Sequence, residues 1–270
     1  MKKMCNAFKK YWAIAKINFA NKMVYTVDII AEILFLAFIF LILFFLHRST
    51  IAIKPTKPIE VLSLAQIMWI IFFSQIFAGN REKGIMHILN DEILSGQIAY
   101  QLNRPYAYVI FHFAQHIGTK LPAIIFGWLT SGVYVWFLVG LPKFSFLALL
   151  LGLIMICIGM VINFLMQFCI GLCAFWTGSN DPIRWIYLQV MIVAGGMAVP
   201  AAYFPPAIKK IIVALPFSNV VYGAARIIVG CSQSDLSFYL RMQCFWLVMM
   251  LIIARFLFKL GVKNVTICGG

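Results

Sequence analysis

The sequence predicts an all-α integral membrane protein with six transmembrane helices, and three observations carry that prediction. Of the 270 residues, 63% are hydrophobic and 11% charged, where a soluble domain has about half and about a quarter. The apolar residues gather in runs of the length a lipid core demands, about 20 helical residues for about 30 Å. The 22 Lys and Arg, which set a net charge of +14, sit in short clusters between those runs, as topology signals do and as a nucleic-acid surface would not. No polar stretch is long enough to enclose a water-soluble core. The chain therefore divides into an interfacial segment, residues 1–26, and one six-helix membrane domain, residues 27–270.

Lys2 and Lys3 are followed within twenty residues by four more lysines and no continuous apolar core, which argues against a cleavable signal peptide. Phe8, Trp12, Ala15 and Phe19 recur every three or four positions while Lys9, Lys16 and Lys22 take other faces. That is the pattern of an amphipathic helix lying on a membrane surface. Six apolar segments follow: Val27 to Leu46, Val61 to Ala78, a stretch ending at Val139, Phe144 to Trp176, Ile183 to Val199, and Tyr239 to Leu260. The third becomes apolar near Ile117, though its helix can start at Pro105, since proline is tolerated at the first helical position. The fourth, 33 residues long, must tilt or extend beyond the membrane. With this layout fourteen Lys and Arg fall on the side of the N-terminus and eight opposite, which predicts both termini in the cytoplasm.

Between the fifth and sixth spans the chain is broken by Pro200, Pro205, Pro206 and Pro216-Phe217, leaving apolar stretches Ile208 to Leu215 and Val220 to Val229. Both are too short to cross. They are expected as short re-entrant helices on the outer side, which requires their open ends to be buried in protein or to face water.

Few residues suggest chemistry. The seven cysteines, at 5, 157, 169, 173, 231, 244 and 268, include no CxxC pair, and Cys169 and Cys173 read as packing residues of one helix face. No phosphate loop, nucleophile elbow or His-Glu-x-x-His helix occurs. His112 and His116, at i and i+4, read as polar residues at the inner headgroup level, with a metal pair as the alternative. Asp28 and Glu32 share the same spacing at the start of the first span. Asp28 suits a helix N-terminus among headgroups. Glu32, about 6 Å deeper, is either a structural partner of Lys120 or Arg184 or part of the lining of a transport path. In the inner loop, Ile93, Gln97, Tyr100 and Arg104 fall on one face of a helix from Asp91 to Arg104, and Leu94, Ile98 and Leu102 on another. Such a helix either docks a cytoplasmic partner or rests on lipid.

Three blocks carry a resemblance. Ile93-Leu94-Ser95-Gly96-Gln97-Ile98-Ala99-Tyr100-Gln101-Leu102-Asn103-Arg104-Pro105 resembles the Gly-Glu-Leu … Leu-Leu-Arg-Pro segment of ABC-type-2 exporter permeases, in their bacterial branch of uncharacterised transport systems. Gly171-Leu172-Cys173-Ala174-Phe175-Trp176 resembles the Ala-Phe-Trp ending of their fourth span. Gly195-Gly196-Met197-Ala198-Val199-Pro200, Phe204-Pro205, Leu215-Pro216-Phe217, Tyr222 and Gly230 resemble their Gly-Gly … Pro … Phe-Pro … Leu-Pro-Phe … Tyr … Gly block. Gln97 departs from the pattern, since relatives often carry Glu there.

The resemblance implies a permease subunit of the bacterial cytoplasmic membrane, not itself an enzyme. It would work as a homo- or heterodimer of permease chains on a pair of ABC ATPase subunits that hold the ATP and magnesium; no cofactor is expected in this chain. It assigns the inner-loop segment as a coupling helix, with Asp91, Glu92, Ile93, Gly96, Gln97, Tyr100, Asn103 and Arg104 toward the ATPase. Asp28 and Glu32 would border the transport path, and Pro200, Pro205, Pro206, Pro216 and Phe217 would form an outer gate. Membrane lipid is the remaining partner. The rival readings are less well served: no catalytic constellation supports a membrane enzyme, and no polar ring supports a channel. A proton-coupled secondary transporter, with Glu32 as carrier, is the alternative, although no inverted repeat accompanies it.

Overall fold

The computed structural model describes residues 2–52, 62–79, 84–142, 144–230 and 233–263, without the side chains of residues 2–8 and 233. Val61, the loop cations Lys54, Lys57, Arg81, Lys83 and Lys143, Cys231, Cys268 and the side chain of Phe8 lie outside the described residues. Every regular element among those described is helical.

Four stretches are long and apolar enough to cross a membrane: Thr26–Ile51, Tyr108–Val139, Phe146–Thr177 and Ser234–Lys263. The first belongs to α2 (Thr26–Ala52), which a one-residue break at Tyr25 separates from α1 (Lys2–Val24). The second consists of α6 (Tyr108–Gly127) and α7 (Val133–Val139) joined by a π-helical turn, Trp128–Gly132. The third is α8 (Phe146–Leu172) continued by α9 (Ala174–Thr177), and the last lies in α13 (Gln233–Lys263).

The other two expected spans are shorter than their apolar runs. α3 (Leu64–Ala78) has 15 residues and α10 (Asp181–Ala194) has 14, which is about 22 and 21 Å at 1.5 Å per residue. α3 starts late because Ser63 caps it: the Ser63 hydroxyl accepts from Gln66 N and the Gln66 side chain accepts from Ser63 N. α10 ends at Gly195, with Gly196 following in the left-handed region at φ 74°. Hydrogen bonds fasten both ends of α3 and the segments that flank α10. At the end that carries α1, Lys120 Nζ donates to the Phe77 carbonyl in the last turn of α3 and to that of Gly79 just beyond it, and Asn180 at the head of α10 donates to α4 (Ile85–Leu94). At the opposite end, Gln66 donates to the Val229 carbonyl, Trp69 to that of Gly140, and His47 meets that of Ala198.

α3 is the core helix. Ile67 through Ser74 are buried in unbroken succession, so no amphipathic pattern marks it. Around it lies the larger apolar cluster, rich in Phe40, Phe72, Phe73 and Tyr222. A second cluster at the α1 end joins Ile85, Leu89, Ile98, Tyr108, Phe164, Phe168 and Ala254. α1 packs Ala15 against α6 at Gly118, where a Cβ would collide with the Ala15 carbonyl, and leaves Trp12 and Ile17 exposed.

The proline-broken region comprises a 3-10 turn (Ala201–Tyr203), α11 (Pro206–Ala214), a turn through Pro216 and α12 (Tyr222–Ile228). Polar side chains close its open backbone. Ser218 Oγ donates to Ala194 and Ile212, Asn219 Nδ2 to Val213 and Leu215, Gln243 Nε2 to Met155 and Asn219, and Trp246 Nε1 to Ala214. α12 is wholly buried, and the turn that precedes it lies so close to α8 that a Cβ on Gly159 would overlap the Val220 carbonyl.

Candidate functional site

The inner-loop segment is two helices, which corrects the expectation of one. α4 ends at Leu94 and α5 (Gln97–Leu102) begins after Gly96, which sits at φ 73°. Non-glycine residues enter that region at a cost, so Gly96 is where the chain can turn. The turn rotates α5 relative to α4 and splits the face predicted for Leu94 and Ile98: Ile98 is 2% exposed and packs in the second cluster, while Leu94 is 54% exposed. Leu94, Ser95, Gly96, Gln97, Tyr100 and Asn103 thus make an exposed tip, with Tyr100 65% exposed, and Asp91 lies exposed beside it. Ile93 is half-buried and packs inward.

Two of the expected partner contacts are used inside the chain instead. Arg104 is half-buried, its guanidinium 4.6 Å from the Tyr100 ring and donating to the Tyr106 hydroxyl at 3.3 Å. Tyr106 in turn donates to Gln101 Oε1 and stacks on Phe111 at 4.4 Å. Glu92 is only 8% exposed. Its Oε2 accepts from the Tyr108 hydroxyl at 2.6 Å and lies 3.3 Å from His112 Nε2. Burial alone would raise the Glu92 carboxyl, but the His112 imidazole and Tyr108 hydroxyl against its oxygens, with Arg104 beyond, outweigh it and hold the group below its usual range.

Three attachments therefore hold the base of the tip. Glu92 ties α4 to the start of α6. Asn90 ties it to the α9–α10 connection, where Asn180 N donates to Asn90 Oδ1 at 3.0 Å and Asn180 Nδ2 to the Met86 carbonyl at 2.7 Å. α1 reaches the α5–α6 connection through Lys10 Nζ on the Pro105 carbonyl, 2.8 Å, and Tyr11 Oη accepting from Ala107 N, 3.0 Å. The profile of the ABC-2 family transporter proteins matches residues 31–269. The chain belongs to that family. ABC-2 proteins are transport permeases that normally work with an ATP-binding subunit. No curated protein matches the chain.

The other candidate region of this ABC-2 protein is a cavity of about 100 Å³ between α1, α2, α3, α4 and α6, with Glu32, Gln75, Gln115, His116 and Lys120 among its lining. Glu32 meets Lys22 Nζ at 3.7 Å, across the α1–α2 break. Lys120 lines the same cavity, whereas Arg184 is engaged with Asp181 at 2.8 Å. Asp28, one turn earlier than Glu32, is exposed and outside the lining. Both histidines line the cavity, and His112 also faces Glu92. In the proline-broken region Pro200 and Pro216 are buried, Pro205 and Pro206 exposed, and Phe217 rests against the Tyr187 ring at 6.1 Å.

Sequence reasoning missed Tyr108, His112, Asn90, Asn180 and Lys22 as partners. The Glu92–His112 pairing joins residues 20 positions apart and the Asn90–Asn180 contact residues 90 apart, so no short motif could announce them. The turn at Gly96 did have a signal: Ser95-Gly96 directly after an apolar residue reads as a helix stop.

Proposed function

We propose that the chain is the membrane-spanning permease subunit of an ATP-driven exporter of the bacterial cytoplasmic membrane. Two permease chains, identical or different, enclose the substrate path between their first, second and fifth spans, and a pair of separate ATPase subunits supplies the hydrolysis. The observation that carries this reading is the exposed α4–α5 tip on a base tied to α6, to the α9–α10 connection and to α1. A segment resting on lipid has no need of such fastenings. Closure of the ATPase pair presses on Gln97, Tyr100 and Asn103, and Asp91, Glu92, Ile93, Gly96 and Arg104 shape and hold the tip.

In this reading α3 and α10 cross with the four longer helices, making six spans with both termini in the cytoplasm. What supports it is the segregation of their end contacts to opposite ends of the bundle. The Pro200 to Gly230 region serves as the outer gate, because broken helices held by side-chain hydrogen bonds rearrange at lower cost than a continuous span. Glu32 and Asp28 border the inner approach to the path.

Cysteine placed at Tyr100 or Asn103 tests the docking face in native membranes with a homobifunctional crosslinker. A covalent adduct to an ATP-binding chain from position 100 or 103, and none from exposed Trp185, is expected. Adducts from Trp185 alone would sink the proposed docking face. Transport that survives ATPase depletion and collapses with the proton gradient would favour the secondary-transporter reading instead.

A further inference from the structure

Two consecutive backbone carbonyls beyond α10 are held by side chains from two other helices. After Gly195 the chain leaves helical geometry, with Gly196 at φ 74°, and the carbonyls of Met197 and Ala198 lose the partners that a continued helix would supply. Gln75 Nε2 of α3 donates to the first at 2.9 Å, and His47 Nε2 of α2 meets the second at 3.0 Å. A carbonyl only accepts, so His47 Nε2 carries a proton. The His47 ring, 3% exposed, also stacks on Tyr203, with the planes 2° apart and the centroids 5.5 Å apart. One residue of α2 thus grips the broken region on both sides of Pro200.

Nothing among the described residues is placed to receive a second proton on the same ring. His47 Nδ1 is buried without a hydrogen-bond partner there, and no ion pair reaches it. The surrounding elements bring no anion. Residues 195–200 carry no titratable side chain, and Tyr203 is the one in the turn that follows. α3 and the π-helical turn have none, α7 has Tyr134, α11 has Lys209 and Lys210, and those of α6 stop at Lys120 toward the α1 end. On α2 the next residue is Arg48, its guanidinium 5.9 Å from the Phe44 ring, and the nearest carboxylate is Glu32, about 22 Å away along the helix. Lys54, Lys57 and Glu60 lie outside the described residues. A second proton would therefore leave an uncompensated charge in a buried site, a cost that a released ring in water does not carry.

We propose that His47 is a proton-sensitive pin on the outer gate: the neutral ring holds the Gly195 to Tyr203 segment, and acid on that side releases it. His47 is five residues from the end of α2, and Arg48, Ser49 and Thr50 beyond it are exposed, so the proton arrives from the end of the bundle opposite α1. The inference rests on the proposed function for calling that end outer and that region a gate, whereas the pin itself is contained in one chain and needs no ATPase. Linkage sets its size. When the released ring alone takes up the proton, at the ordinary histidine value of about 6.5, the pin is at full strength well above that pH and is lost below it, and the released share rises about tenfold between roughly pH 7.5 and 5.5.

The test is hydrogen–deuterium exchange of the full-length protein in lipid nanodiscs at about pH 7.5 and 5.5, each rate divided by the intrinsic rate at its pH. The amides of Ala198, Tyr203 and Phe204 report, since they donate to the Ile192, Pro200 and Ala201 carbonyls. In the wild type their protection should fall about tenfold on acidification. His47→Gln, whose Nε2 stands the same number of bonds from Cα and does not titrate, should keep the wild-type protection of the higher pH at both. His47→Phe, which keeps a ring against Tyr203 but has no donor, should be roughly tenfold less protected at both, the range of one buried hydrogen bond. Wild-type protection that is equal at the two pH values, a fall that persists undiminished in His47→Gln, or a His47→Phe protein as protected as the wild type at the higher pH would each overturn the inference. The first of these is read on the unaltered chain and so does not depend on how the variants fold. Because the readout is local, a flat wild-type profile from protein that still crosslinks to its ATPase would sink the pin and spare the permease reading.

Discussion

Removing the Glu92 carboxylate should loosen α4 without unfolding the bundle. In Glu92→Ala the Tyr108 hydroxyl, in a residue only 5% exposed, loses its 2.6 Å acceptor, and His112 loses its neighbour. A hydrogen bond to a charged group contributes about 1.5–3 kcal/mol, and a buried hydroxyl left unpaired costs about 1–3 kcal/mol, two views of one loss. A net of about 2–3 kcal/mol raises the local opening equilibrium roughly 30- to 150-fold at 1.4 kcal/mol per decade. Hydrogen–deuterium exchange resolves this directly: amides of Ile85–Leu94 should exchange faster by that factor, while those in the buried centre of α8 stay as they were. Glu92→Gln, which keeps an acceptor for Tyr108, should fall between. If α4 exchange is unchanged, or if α8 loosens equally, Glu92 does not act as a local fastening and the reasoning fails.

Gly96→Ala should cost about 1–2 kcal/mol through backbone strain alone, because the residue sits at φ 73° with nothing within 4 Å of an added Cβ. Gly96→Asn should recover part of it, as a thermal melt in detergent would read. Gly159→Ala should do far more harm, preventing assembly or displacing the segment around Val220, since the new Cβ would overlap the Val220 carbonyl; protease sensitivity near Val220 reports it. The stability gap between wild type and Glu92→Gln should depend on pH. The folded Glu92 carboxyl titrates below the ordinary value of 4.5. Its stabilisation is therefore complete above about pH 4.5 and is lost as pH falls through the lower folded value. Melting temperatures of the two proteins should differ near neutrality and converge in acid.

What the sequence revealed follows how local each determinant is. The helices α2, α8 and α13 and the joined α6–α7 were legible because a long apolar run is sufficient evidence of a span, and the broken region was legible because proline prevents continuation. The need to bury its open ends was also legible, but Ser218, Asn219, Gln243 and Trp246 as the residues that do so were not, since they act on carbonyls set by tertiary packing. The extents of α3 and α10 were overestimated because hydropathy continues past the points where a Ser63 cap and a Gly195-Gly196 stop end the helices. At the tip, helical periodicity was extended through Gly96 and so placed Leu94 with Ile98. Glu92 looked like a surface charge because its partners, Tyr108 and His112, lie on another helix.

The most direct test of the permease claim is mass spectrometry of what co-purifies with the tagged protein from native membranes in mild detergent, alongside a Tyr100→Asp variant that should fold normally, since Tyr100 is exposed. The expected result is an ATP-binding-cassette ATPase in stoichiometric amount with the wild type and its loss from the variant. Absence of any ATPase from the wild-type sample, repeated after crosslinking in intact membranes, would contradict the reading of this chain as a subunit of an ATP-driven transporter.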